Sequence, residues 1–279
     1  MTYQKAFDSS EYKARLFKVK QRMNEKGFDM LICQDPANMC WLTGFDGWSF
    51  YTPQAVLVHL SEEWPIWFGR EQDAKSATIT TDIPESNIIP FSEPLVHHET
   101  RHPFDELCDY IKLRKWERAR IGVDFDAHYF TARAHKHLYT GLPNAKILDN
   151  KELVNWARLI KSPLELKYMY EAGVICTNTM RHSLNKLVPG VPQYEIIADI
   201  YKNQINGVDG KYGDYTGLCP LIQVGESTST PHLTWSDEPL PKEGLVVIEI
   251  GAARRHYNAP LTRTAYIGNA PKEVTNLSC

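Results

Sequence analysis

The sequence predicts two domains: an α/β domain over residues 1–158, and a smaller domain, helical and then β, over residues 159–279. Three observations carry this. Helical and strand-like patterns of mixed length alternate as far as about residue 155. Ser162-Pro163 then opens a long helical stretch, and after Gly207 the pattern turns to β. Of the 279 residues, 43% are hydrophobic and 23% charged, which is ordinary globular usage and excludes disorder, collagen and coiled coil.

In chain order, Asp8 or Ser9 caps a helix with Leu16, Val19 and Met23 at helical spacing, stopped by Gly27. Residues 30–33 form an apolar strand, and a loop-rich stretch follows through Asp35-Pro36-Ala37-Asn38 and Gly44-Phe45-Asp46-Gly47. Strand-like runs return at 54–60, 65–68 and 87–91. A helix over about 102–116, a strand at 121–124 and a helix over about 129–140 come next, with Gly141 and Pro143 as stops. A further helix ends near Ile160. Ser162 then caps a long one, with Pro163 in its first position and Glu165 in its acidic first turn, and Pro189-Gly190 ends it. Pro192 opens another, carrying Ile196, Ile197 and Ile200. Runs at 221–224, 245–250 and 261–267 are strands, the last two a hairpin joined through residues 252–259. The final residues, 269–279, have no amphipathic period.

Charge and cysteine usage narrow the class. Thirty-one Lys and Arg face 34 Asp and Glu, for a net charge of -3, which lacks the bulk footprint of a nucleic-acid binder. No run approaches the ~18 apolar residues of a membrane span, and residues 1–5 lack the order of a signal peptide. The six cysteines show neither a C-x-x-C pair nor zinc-finger spacing. Reduced thiols in a cytoplasmic protein are expected, with Cys33 and Cys176 in the core and Cys279 solvated.

Two segments carry chemistry. The small-residue loop 225–237 contains Pro231-His232, and a histidine held by a stiff proline after a strand suits a proton shuttle. The alternative is a loop histidine bonded to a backbone carbonyl. In Val246-Val247-Ile248-Glu249-Ile250-Gly251-Ala252, the carboxylate of Glu249 is costly unless paired, hydrogen-bonded or held against a ligand. The alternative is that strand alternation turns it to solvent, although Val247 and Ile248 beside it offer no polar face. Arg254, Arg255, His256 and Tyr257 follow at the hairpin tip, either to reach an anionic group or as a solvated turn; Arg263 reads as structural.

The order Pro231-His232, the strand with Glu249, Tyr257, then Leu261-Thr262-Arg263-Thr264 and Gly268 resembles the creatinase/prolidase family, whose catalytic domain has the pita-bread fold. Asp35-Pro36-Ala37-Asn38-Met39, Trp41-Leu42-Thr43-Gly44 and Arg158-Leu159-Ile160-Lys161-Ser162-Pro163 agree, and the resemblance extends to about Ala270. It implies a creatinase-like α/β domain with a mixed sheet, followed by the first half of an α+β pita-bread domain. In metal-dependent members two aspartates of this hairpin are ligands; their places fall on Glu249 and on Pro260, which has no ligand atom. That points to the metal-free branch, which contains creatinase and ectoine hydrolase.

Gly44-Phe45-Asp46-Gly47-Trp48-Ser49-Phe50-Tyr51, Phe68-Gly69-Arg70-Glu71-Gln72-Asp73, Pro231-His232-Leu233-Thr234-Trp235 and Arg254-Arg255-His256-Tyr257 are similar to the ectoine-hydrolase side of that branch. The similarity implies a homodimer that needs no metal or other cofactor. Its small-molecule substrate would be ectoine, a cyclic amidine opened to N-acetyl-2,4-diaminobutyrate, with no nucleic-acid or membrane partner. His232 and Glu249 are then the catalytic candidates. Trp48, Tyr51 or Trp235 would lie on the flat cation, and Arg254 or Arg255 would hold the substrate carboxylate; for each aromatic, plain core packing is the alternative. The family's domain normally continues with a second half, so the expectation is a truncated or interrupted product. Its hairpin would expose an apolar face, and its activity would be impaired. The competing readings are a Xaa-Pro peptidase-like hydrolase, against which Pro260 argues, and a non-catalytic remnant or binding module.

Overall fold

The computed structural model describes residues 3–277, so Cys279 lies outside the described residues. The chain divides into two compact units, Met1–Ile160 and Lys161–Cys279. The first runs α1 (Ser9–Lys26), β1 (Met30–Cys33), α2 (Pro36–Thr43), β2 (Ala55–His59), β3 (Ile66–Arg70), α3 (Ala74–Thr80), β4 (Ile88–Phe91), α4 (Pro103–Leu113), β5 (Arg120–Val123), α5 (Ala132–Gly141), β6 (Lys146–Asp149) and α6 (Leu153–Arg158). Its strands form one mixed sheet in the order β4-β3-β2-β1-β5-β6. β1, β5 and β6 are parallel, and β2 is antiparallel to both its neighbours.

Successive strand side chains leave on opposite faces, and here both faces are filled. Leu31, Cys33, Val56, Val58 and Trp67 join the core with α1, α2 and α6. Met30, Ile32, Leu57, Ile66 and Phe68 join the core with α4 and α5. Double coverage explains why these strands are continuous apolar runs rather than alternating ones. Burial pushes the Cys33 thiol up to about 12, which keeps it protonated and inert. The cysteines among the described residues are all free.

Capping residues set the helix ends. The His102 Nδ1 accepts the Phe104 N–H while the Asp105 carboxylate accepts the His102 N–H, so α4 starts at Pro103. Thr131 caps α5, which begins later than its apolar pattern suggests. The loop expected over 35–47 contains α2 instead. There the Asp35 side chain accepts the Asn38 N–H, Pro36 occupies the first turn, and Gly44 closes the helix at φ 80. The short elements α3 and β6 are further additions to the sequence-based expectation.

In the second unit, α7 (Pro163–Asn185) opens on a reciprocal cap. The Ser162 hydroxyl accepts the Glu165 N–H, and the Glu165 carboxylate accepts the Ser162 N–H. Next come α8 (Gln193–Asn206), β7 (Leu221–Val224), β8 (Gly244–Arg254), β9 (Tyr257–Ile267) and a short α9 (Lys272–Leu277), where no period was expected. β7-β8-β9 is an antiparallel sheet. Ile175, Cys176 and Met180 of α7 and Ile196, Ile197 and Ile200 of α8 pack on Ile222, Val246, Ile248 and Ile250 of its covered face.

The hairpin is longer than its apolar runs. Pairing continues to Arg254 and Tyr257, and only Arg255 and His256 form the turn, at φ 51 and 63. Positive φ at both positions gives the tight turn whose twist matches the strands. The sheet face away from the helices carries Gln223, Glu249, Thr262 and Thr264 among the apolar Leu221, Leu245, Val247 and Tyr266. Polar side chains thus interrupt the expected apolar patch, and among the described residues the large apolar side chains of β7, β8 and β9 are buried or half-buried.

Candidate active site

The site is built on that open face. Directly paired residues of an antiparallel sheet share a face. Glu249 lies between Leu221 of β7 and Thr262 of β9, and Gln223 lies opposite Val247 on the same side. Glu249 is half-buried, with the Thr262 hydroxyl-bearing side chain as its exposed cross-strand neighbour. Strand alternation therefore does give Glu249 a polar surface, supplied by neighbouring strands rather than by its own.

The His232 loop leaves the end of β7. Ser227 closes its first turn, its Oγ accepting the Val224 N–H at 2.7 Å and donating to the Val224 carbonyl at 3.0 Å. At the far end the Ser236 N–H donates to Gln193 Oε1 at 3.0 Å, and Trp235 packs, half-buried, against the core of the unit. Between these anchors Gln223 Nε2 donates to the Leu233 carbonyl at 2.6 Å. The bond draws the loop to the face that carries Glu249. His232 is exposed and sits at φ 65, a left-handed conformation unusual outside glycine.

Arg254 and Arg255 stand elsewhere. The Arg254 Nε donates to Glu171 Oε2 at 3.1 Å, and the Lys211 ammonium lies 3.2 Å from Glu171 Oε1. The Arg254 guanidinium also lies 4.6 Å from the centre of the Tyr212 ring. Burial pushes the Glu171 carboxyl up, but Arg254 and Lys211 outweigh it and hold the group below its ordinary value. Five residues of extended strand place the Glu249 and Arg254 Cα atoms roughly 17 Å apart. Five positions along one strand also put Arg254, tied to α7, on the opposite face of the sheet from Glu249. The Arg254 ion pair ties the hairpin tip to α7. Arg263 is exposed and donates to the Thr262 carbonyl at 2.7 Å.

Trp48 and Tyr51 belong to the first unit. They are 62% and 57% exposed and form an aromatic group with Phe50, whose ring lies 4.9 Å from Trp48 and 5.6 Å from Tyr129. Gln223, Thr262 and Glu171 carry no obvious motif. Only Gln223 leaves a signal, as a lone polar residue inside the apolar run Leu221-Ile222-Gln223-Val224.

The residues around Glu249 bring few metal-ligating side chains together. Glu249 is flanked by Leu221 and Thr262, and the Pro260 side chain, on the same face opposite Gly251, has no ligand atom. Among the described residues no group of three or more His, Cys, Asp or Glu is placed to hold a metal ion.

Residues 15–160 match the model of the Creatinase/Prolidase N-terminal domain, and residues 167–278 match Metallopeptidase family M24. The chain belongs to this family. Over 273 residues it is 39% identical to the ectoine hydrolase of Halomonas elongata, spanning 96% of this chain and 68% of that protein. It is equally 39% identical over 273 residues to an uncharacterized hydrolase/peptidase of Sinorhizobium fredii, spanning 98% of this chain and 69% of that one. Among solved structures, the prolidase of Thermococcus sibiricus superposes with a TM-score of 0.79 at 18% identity, over 96% of this chain and 69% of its own. That likeness establishes the pita-bread fold, and the family relationship makes the chain a hydrolase of family M24.

Proposed function

We propose that this hydrolase opens the cyclic amidine ring of ectoine to N-acetyl-2,4-diaminobutyrate without a metal ion. The observation that supports the reading is the pairing, on one sheet face, of a single carboxylate with a tethered histidine loop, and a proline in place of a second ligand. The similarity to a protein named ectoine hydrolase agrees with it.

A peptide carbonyl gains from a Lewis acid, whereas the central carbon of an amidinium is already electron-poor. A carboxylate attracts such a cation. Glu249 then either takes a proton from the attacking water or attacks the carbon itself to give an acyl imidate, which water cleaves in a second step by attack at the former amidine carbon. In both routes one carbon–nitrogen bond of the amidine breaks, the water oxygen becomes the acetamide oxygen, and the departing amine takes a proton from His232. The same reading includes a homodimer working in the cytoplasm. Among the described residues no helix is long and apolar enough to cross a membrane.

The test is incubation of the purified chain with ectoine, following ring opening by proton NMR, for wild type and His232→Ala. Wild-type turnover reduced by roughly 100-fold or more in the variant supports the assignment of the general acid. Equal rates would remove His232 from the mechanism.

A further inference from the structure

Gln223 is 4% exposed although it projects from the open face of the sheet. A buried side-chain amide is costly unless its donors are used, and its Nε2 spends one on the Leu233 carbonyl at 2.6 Å. Among the described residues no backbone–backbone hydrogen bond holds residues 231–237. The Gln223 bond is thus the tether between the anchors at Ser227 and Gln193, and it fixes the carbonyl of Leu233, the residue after His232. His232 itself is held at φ 65, where a non-glycine residue persists only if its surroundings impose it. Gln223 and Glu249 are diagonal neighbours across β7 and β8, a spacing of about 7–8 Å between Cα atoms.

We propose that Gln223 is a positioning residue: its amide holds the Pro231–Leu233 backbone so that the His232 imidazole stands over the Glu249 carboxylate. The proposal rests on the roles given above to His232 and Glu249. It assigns Gln223 no contact with substrate. The amide acts through the loop, so its removal changes where the imidazole spends its time and leaves substrate binding alone. Loss of a positioned proton donor costs no more than loss of the donor itself, which sets His232→Ala as the ceiling.

The experiment compares wild type, Gln223→Met, His232→Ala and the double variant. Methionine has nearly the length of glutamine and no donor. Two readouts are taken: ectoine ring opening, and the His232 imidazole proton signal across a pH titration, assigned by its disappearance in His232→Ala. Gln223→Met should lower kcat by roughly 10–100-fold with KM within about twofold, and should shift or broaden the His232 signal. In the His232→Ala background the same substitution should have no further effect on kcat. Absence of ring opening in wild type would refute the functional reading, while the imidazole signal would still decide the role of Gln223. The proposal is overturned if Gln223→Met leaves that signal and kcat as in wild type, or if its full effect persists without His232. Gln223→Asn, which keeps the amide but is one methylene too short, serves for the same readouts if the methionine variant does not fold.

Discussion

Acidification should weaken the first unit through His102. The ring is 6% exposed and its Nδ1 accepts the Phe104 N–H at 3.1 Å, so it caps α4 in its neutral form. Burial, then the neighbouring His137 and Arg133, push its pKa from 6.5 down to about 4 against the pull of Asp105. A folded value below the unfolded one means that the native state binds this proton less readily. Stability is therefore full above pH 6.5 and is lost as the pH falls from 6.5 toward 4. The ceiling is about 3.4 kcal/mol, and solvent around the partly exposed Asp105 and His137 reduces the expected loss to ~2 kcal/mol. Asp105 titrates below this window: burial pushes its carboxyl up, but the His102 N–H and the His137 ring outweigh that and hold it low. His102→Asn preserves the cap, because asparagine accepts the same N–H, and removes the titration. Urea unfolding followed by tryptophan fluorescence reports mainly on this unit, since all but Trp235 of the seven tryptophans lie in it. Between about pH 7 and pH 4 wild type should lose ~2 kcal/mol more than the variant. Parallel losses in the two proteins would refute the reasoning.

Other substitutions test the second unit. Glu171→Gln leaves Arg254, whose side chain is 13% exposed, without its counter-charge. It should cost about 2–3 kcal/mol, less than a fully buried pair because Lys211 is solvated, read as a lower unfolding temperature by calorimetry. Gly207 ends α8 at φ 68, and a Cβ there would come within 1.8 Å of the Lys211 carbonyl oxygen. Gly207→Ala should therefore cost at least about 3 kcal/mol, and an alanine variant as stable as wild type in urea would contradict the geometry. The Tyr257 hydroxyl donates to Glu165 Oε1 at 2.8 Å, so Tyr257→Phe should lose about 1 kcal/mol in the same assay.

The sequence made some of these features legible and hid others, for physical reasons. Ser162, Pro163 and Glu165 act through neighbouring backbone groups, so the start of α7 can be read locally. α2 has the same kind of end signals in Asp35, Pro36 and Gly44, but eight residues are too few for an apolar stripe to announce it. The extension of β8 and β9 past Ala252 and Ala259 is set by pairing with the partner strand, which alanine and proline do not advertise. Glu249 stood out because a carboxylate among β-branched residues is costly wherever it points. The engagement of Arg254 by Glu171, 83 residues earlier, depends on tertiary packing and leaves no local trace.

The central claim is that a carboxylate opens an amidinium ring without a metal, and one measurement addresses it directly. The chain is incubated with ectoine with and without a chelator, beside Glu249→Gln, and the products are followed by NMR. Ring opening should be unchanged by the chelator and lost in the Gln variant, folded as wild type. Turnover abolished by the chelator, or retained in Glu249→Gln, would contradict it.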